Sequence, residues 1–381
     1  MRAPIGQRLI VRTLADAVAE LPPVIALEAH ELGDADLLVC VLGFEERCLA
    51  VPRALADANR RVRGAVMFRY TTNSSDNEHN EHALKECLTK IAHGPPSELE
   101  CDSGGLAAQL RGLVAQYAGG EVGARVFLDV SVASNTLIIR ALAALLDTDV
   151  ELHLLYAEAD QYRPTQEEHE ARQSDTDAQL AHGVLDVTIA SEFAGRHVVA
   201  LPNHVIVFPG FDRDRVRAAI SQVDNDFIME LAEAPLEWMI GRPLHEEDSW
   251  RQEALIELHD VPSGHEQHIV GTFDYRDAMY ALEDVHRRYG LQSNLSVVPL
   301  GSKMQAVGIT LFCVARPDVA VVVAQPREYN AVAYSRGARA LWHLPFIRTN
   351  DIRHLLRTVD TIRLESLGQG ESDVLVGSGI N

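Results

Sequence analysis

Leu37-Leu38-Val39-Cys40-Val41-Leu42-Gly43-Phe44-Glu45-Glu46-Arg47 reads as an apolar strand, a glycine turn and the charged entry to a helix. The same order returns in Val205-Ile206-Val207-Phe208, followed by Pro209-Gly210-Phe211-Asp212-Arg213-Asp214-Arg215. The two glycines, Gly43 and Gly210, lie 167 positions apart. A strand that is apolar at every position fits a sheet covered on both faces, so each stretch predicts the first strand of a parallel sheet.

Outward from Leu37, the pattern alternates. A helix is expected over 48–58, a strand over 64–70, a polar loop over 71–77 leading to a helix that ends near Ile91, and a helix over 105–117 closed by Gly119-Gly120. A strand over 125–130, a helix over 135–146 and a strand from Val150 to Tyr156 follow. After Val205 come a helix to Val223, a partly helical stretch over 226–238, strands at 254–258 and 268–271, a helix from Tyr275 to Tyr289 and a strand at 295–298. A helix from Lys303 and a strand over 319–324 complete the pattern. Strands alternating with helices of this length indicate βαβ units. Ser134 and Ser302 lie 168 apart, and Val150 and Val319 lie 169 apart, so three landmarks share nearly one offset, the mark of an internal repeat. The expected fold class is α/β: two tandem Rossmann-like domains with mainly parallel sheets, residues 1–195 and 196–367, and a flexible Gly/Ser-rich tail over 368–381. Late in the first half, the polar segment 159–179 reads as a solvated insertion or a helix; Val187–Ile189 and His197–Ala200 read as short strands padding a sheet edge.

The chain has 381 residues, 34 lysines and arginines against 55 aspartates and glutamates, and a net charge of −21. Such a surface repels duplex DNA and anionic membranes, while leaving room for a small anion in a private pocket. Five cysteines without a CxxC pair read as reduced thiols, and no apolar leader or spanning stretch is found, so a cytoplasmic protein is expected. GxGxxG, GxxxxGK[ST] and GxSxG are all missing. His79-Asn80-Glu81-His82 and the pair His265 and His268 lack a full ligand set, so no metal and no cofactor are expected.

Ligands of open parallel sheets sit beyond the carboxyl ends of the strands, where strand order switches, and each loop there enters a helix whose free N–H groups favour anions. The candidate contacts are Gly43, Phe44, Glu45 and Arg47; Ser131, Ser134 and Asn135; Gly210, Asp212 and Arg213; Gly301, Ser302 and Lys303; and Tyr329. Ser134 and Ser302 also read as helix caps. Arg47, Arg213 and Arg215 sit beside carboxylates and read equally as ion pairs. Tyr162 and Tyr329, 167 apart, read as core packing or as walls of a base-stacking pocket. Lys303 stands out because a cation in the first turn of an apolar helix opposes the helix dipole, a placement that suits a bound anion. Ser335-Arg336-Gly337-Ala338-Arg339 is a local basic turn in an acidic chain.

The sequence of strand, GF(E/D), helix, small-polar loop and tyrosine-bearing last strand resembles the CARF domain, the CRISPR-associated Rossmann-like family that senses cyclic oligonucleotides. Gly301-Ser302-Lys303-Met304 matches the family's Gly/Ser/Thr-Lys loop; Ser134-Asn135-Thr136 lacks the lysine. The resemblance implies a cytoplasmic component that senses a small anionic, nucleotide-like ligand in an antiviral defence assembly, with effector activity on a separate partner chain. The alternatives are a ring-nuclease-type phosphoesterase, in which Lys303 would steady charge on a phosphate, and a non-catalytic scaffold.

Overall fold

The computed structural model describes residues 7–101, 105–118, 123–172, 181–331, 334–360 and 362–366. The chain is α/β, with two main sheets that are mostly parallel. In the first, the order is Ser97–Glu100, Val62–Arg69, Ala35–Leu42, Ala124–Asp129, Val150–Glu158, then Ala340–Phe346 and Ile25–Ala26. In the second, it is Glu266–Gly271, Leu236–Arg242, Asn203–Phe208, Asn294–Pro299, Ala320–Tyr329, then Ala181–Ala194. Read in chain order within each half, both sheets run third, second, first, fourth, fifth, all parallel, with an antiparallel strand beside the fifth. The repeat seen in the residue spacing is thus a repeat of strand order.

The antiparallel strands are exchanged. Ala181–Ala194 follows the first half but pairs with Ala320–Tyr329 of the second sheet; Ala340–Phe346 follows the second half but pairs with Val150–Glu158 of the first. Sheet membership therefore does not follow the division of the chain at 195/196. Gln7–Val11 and Ile362–Ser366, near opposite ends of the chain, pair antiparallel.

Between the sheets lies a shared helical layer. Asn135–Leu146 and Lys303–Ala315, the equivalent fourth helices of the halves, contribute Ile138, Leu142, Val307 and Leu311 to one continuous buried cluster. Ten consecutive residues of the second helix, Met304–Cys313, are buried, which is why it reads as apolar all round. Gly308 lets it approach the backbone of Tyr275–Tyr289: a Cβ there would stand 2.2 Å from the Tyr275 carbonyl oxygen. The outer faces are covered by separate clusters, one around Leu38, Leu55 and Leu84, the other around Val207, Ile220 and Trp238.

Several expectations are corrected. Ala254–Leu258 belongs to the helix Trp250–Leu258, in which Ala254 and Leu255 face inward; five residues are too short for periodicity to separate strand from helix. A strand, Leu236–Arg242, occupies the end of the stretch read as partly helical, hidden by its buried Glu237. His197–Ala200 is a turn rather than a strand. The edge strand Ser97–Glu100 and the elements Ala340–Phe346 and Thr349–Arg357 were not anticipated. In the polar segment, the helix alternative holds over Gln166–Arg172. Residues 173–179, Gly119-Gly120 and the tail 368–381 lie outside the described residues. Among the described residues, no helix is long and apolar enough to cross a membrane.

Candidate functional site

Each sheet switches direction between its first and fourth strands, so the carboxyl ends of Ala35–Leu42 and Ala124–Asp129, and of Asn203–Phe208 and Asn294–Pro299, open toward a crevice. The loops beyond them interlock. Asn135 donates from Nδ2 to the carbonyls of Pro299 (2.9 Å) and Gly301 (2.8 Å). Lys303, 168 positions on, donates from Nζ to the carbonyl of Ala133 at 2.6 Å. The first residue of each fourth helix thus reaches across to the loop of the other half. Ser134 and Ser302 cap these helices, accepting from the Leu137 and Gln305 N–H groups.

The arginines after the first strands repeat the correspondence. Arg47 donates to the Ala157 carbonyl at 3.2 Å, lies 5.9 Å from the Tyr162 ring centre and pairs with Glu45 at 3.0 Å. Arg215 donates to the Ala324 carbonyl at 2.9 Å, lies 5.8 Å from the Tyr329 ring centre and stands 3.8 Å from Asp212. The arginines are 168 apart, and both the carbonyls and the tyrosines are 167 apart. Arg213 takes no such place; it turns outward to Asp260, because one extra residue after Asp212 moves the equivalent position to Arg215.

These groups surround a cavity of about 290 Å³ whose walls come from both halves, among them Arg47, Ser134, Asn135, Tyr162, Gly210, Arg215, Gly301, Ser302, Lys303 and Tyr329. Its electrostatics are dominated by cations. Arg163 is paired with Glu168, Arg47 with Glu45. Arg251 donates to the carbonyls of Pro164 (2.8 Å) and Arg163 (3.2 Å) and packs over Phe211 at 4.5 Å. Among the described residues neither Arg251 nor Lys303 has an ion-pair partner. Burial lowers the proton affinity of Arg251. Burial, aided by the charge of Arg47, brings the Lys303 ammonium down to about 7. Asp129, beneath the loops, is pushed up to about 6 by burial against the bonds it receives from Ser131. The carboxylate Glu158 accepts from Trp342 Nε1 at 2.9 Å and shares a hydrogen bond of 2.6 Å with His245 Nε2 at the cavity wall.

Gly43, Phe44 and Glu45 line a smaller neighbouring space of about 40 Å³ that also touches Ser134, Lys303 and Tyr329. Phe44 meets Tyr334 edge-on at 5.7 Å. Ser131 lies below the cavity, donating to Asp129 and accepting from the Ala157 N–H at 2.8 Å. Asp212 caps its helix by accepting from the Arg215 N–H at 3.1 Å. Ser131, Asp212 and Arg213 therefore stand outside the cavity wall. Sequence reasoning missed Arg251, Glu158 and His245, which belong to no motif; Trp250 stands in a charged and polar stretch, His245 to Glu253, that gives no signal of a site.

No family model matches the chain, and no curated protein does. Among solved structures, it is similar to the cytoplasmic domain of a prokaryotic cation chloride cotransporter, at 11% identity over 79% of this chain and 99% of that one, with a TM-score of 0.23. A likeness that weak carries no argument about function.

Proposed function

We propose that the chain binds a small anionic, nucleotide-like ligand in the cavity shared by its two halves. The observation that carries this reading is the pair Lys303 and Arg251: two cations facing one cavity, held by carbonyl oxygens and not by carboxylates, in a protein of net charge −21. A partly buried cation without a counter-ion carries a desolvation cost, and an anionic ligand offsets it. Tyr162, Tyr329 and Phe211 supply ring faces for a base, and 290 Å³ is near the lower end of the roughly 300–1,000 Å³ of small-molecule sites. Placement in an antiviral defence assembly, with the effector on a partner chain, rests on the resemblance to CARF domains.

The test is calorimetric titration with a panel of cyclic oligonucleotides and with AMP. A charge-assisted hydrogen bond contributes about 1.5–3 kcal/mol, so Lys303→Ala and Arg251→Gln should each weaken binding by roughly tenfold to a hundredfold. Unchanged affinity in both variants, for a ligand that binds the wild type, would remove the assignment. Turnover of the bound ligand would favour the phosphoesterase reading; a stable complex with another protein and no ligand binding would favour the scaffold.

A further inference from the structure

A second cluster lies at the opposite end of the second sheet, at the amino ends of its strands. In Asn203–Phe208, Leu236–Arg242 and Glu266–Gly271, side chains alternate between faces, and the parallel register sets Ile206 beside Glu237, Glu237 beside Glu266 and Met239 beside His268. His204, Glu237, Glu266 and His268 therefore share one face. Farther along the strands that face carries the core residues Ile206, Met239 and Val270; at the strand starts it carries imidazoles and carboxylates instead. One ligand atom each from Glu237, Glu266 and His268 lies within 4.8 Å of the others. His268 Nε2 stands 2.7 Å from one Glu237 oxygen, and His204 Nε2 stands 3.5 Å from the other. His204 is 6% exposed, and its Nε2 has no hydrogen-bond partner.

We propose that His204, Glu237, Glu266 and His268 form a structural binding site for one divalent transition metal of the zinc class, fastening the starts of three neighbouring strands. Glu237, Glu266 and His268 already converge, and His204, 3.5 Å from the second Glu237 oxygen, is the fourth donor that a cation would draw in; two imidazoles and two carboxylates are a borderline donor set, suited to zinc and poorly suited to calcium or magnesium. The stranded imidazole nitrogen beside a 2%-exposed carboxylate is the arrangement a cation between them would complete. Arg288 also reaches the cluster, contacting Glu266, standing 3.5 Å from His268 Nε2 and approaching Glu237 to 4.0 Å, while a second carboxylate, Asp284, holds it at 3.0 Å. When the metal binds, Arg288 stays with Asp284 and gives up both Glu266 and His268. From short motifs no metal was expected at His79 and His82 or at His265 and His268; here the ligands come from three strands and no short motif joins them.

The experiment takes the full chain, strips it with EDTA, desalts it and titrates ZnCl2 against a chromophoric zinc indicator. One zinc per chain is expected, accompanied by a higher thermal midpoint. Glu266→Gln and His268→Gln, at the solvent edge of the cluster, should each weaken binding by about tenfold or more, whereas His79→Ala/His82→Ala should leave it unchanged. CoCl2 should give the visible absorption of a four-coordinate site in the wild type, and lose it in His268→Gln. Absence of stoichiometric zinc binding, zinc binding untouched by both edge variants, or binding abolished by the His79/His82 variant would each overturn the proposal.

Discussion

Lys303→Met isolates the cost of holding an ammonium group in the shared cavity. The lysine falls from its ordinary 10.5 to about 7, chiefly through burial. At about 1.4 kcal/mol per pKa unit, the penalty has an upper bound of about 5 kcal/mol. Partial exposure of the side chain reduces it, and the lost hydrogen bond to the Ala133 carbonyl subtracts about 1 kcal/mol more. Methionine fills a similar volume, so a net gain of about 1–3 kcal/mol is expected at pH 7. Because the folded-state value lies below the unfolded one, the unfolded chain holds more protons between pH 7 and 10.5. The wild type therefore gains stability from this residue as pH rises through that window, and the advantage of the variant shrinks by up to about 1.4 kcal/mol per pH unit. Urea unfolding of both proteins at neutral and at mildly alkaline pH measures this directly. A variant less stable than the wild type at pH 7, or an advantage independent of pH, would refute the placement of Lys303 as a desolvated cation.

If the cavity takes an anion, the same protonation sets its binding: affinity for a phosphate-bearing ligand should fall as pH rises above about 7, and Lys303→Met should abolish that dependence in calorimetry. Gly308→Ala should destabilise by more than about 2 kcal/mol in urea unfolding, since the 2.2 Å approach to the Tyr275 carbonyl outweighs the ~1 kcal/mol of helix propensity gained. Arg215→Ala, which strips a cavity-wall guanidinium from the Ala324 carbonyl, should cost about 1–3 kcal/mol. Its neighbour Arg213→Ala, at an exposed pair with Asp260, should stay within about 0.5 kcal/mol, and near-equal shifts in urea midpoint for the two would contradict the assignment of Arg215 as the partner of Arg47.

What could be read from the residues depended on how local the signal was. Leu37–Leu42 and Val205–Phe208 are unbroken apolar runs followed by the same turn, so the first strands and the repeat were legible. The helices 135–146 and 303–315 were placed because serine caps mark their starts. Leu236–Arg242 escaped because a buried glutamate interrupts it and is stabilised by histidines from other strands. The strand exchange was hidden for a deeper reason: nothing local to Ala340–Phe346 tells which sheet edge it will complete, since either edge offers the same unpaired backbone groups. At the cavity, the glycine and serine loops were found, and Tyr162 and Tyr329 were noticed by their spacing. The step from Arg213 to Arg215 required the one-residue insertion that only the carbonyl contacts expose. Arg251 owes its position to the packing of Trp250–Leu258 against the segment around Pro164, a tertiary contact with no sequence signature.

On the proposed reading, equivalent loops of the two halves build one anion site and not two. Native mass spectrometry of the chain with a cyclic oligonucleotide that binds it counts the sites directly, with Asn135→Ala reporting on the first half and Lys303→Ala on the second. One ligand per chain is expected, with occupancy lowered by either variant. Two ligands per chain, or a variant that removes one and leaves another bound, would contradict it.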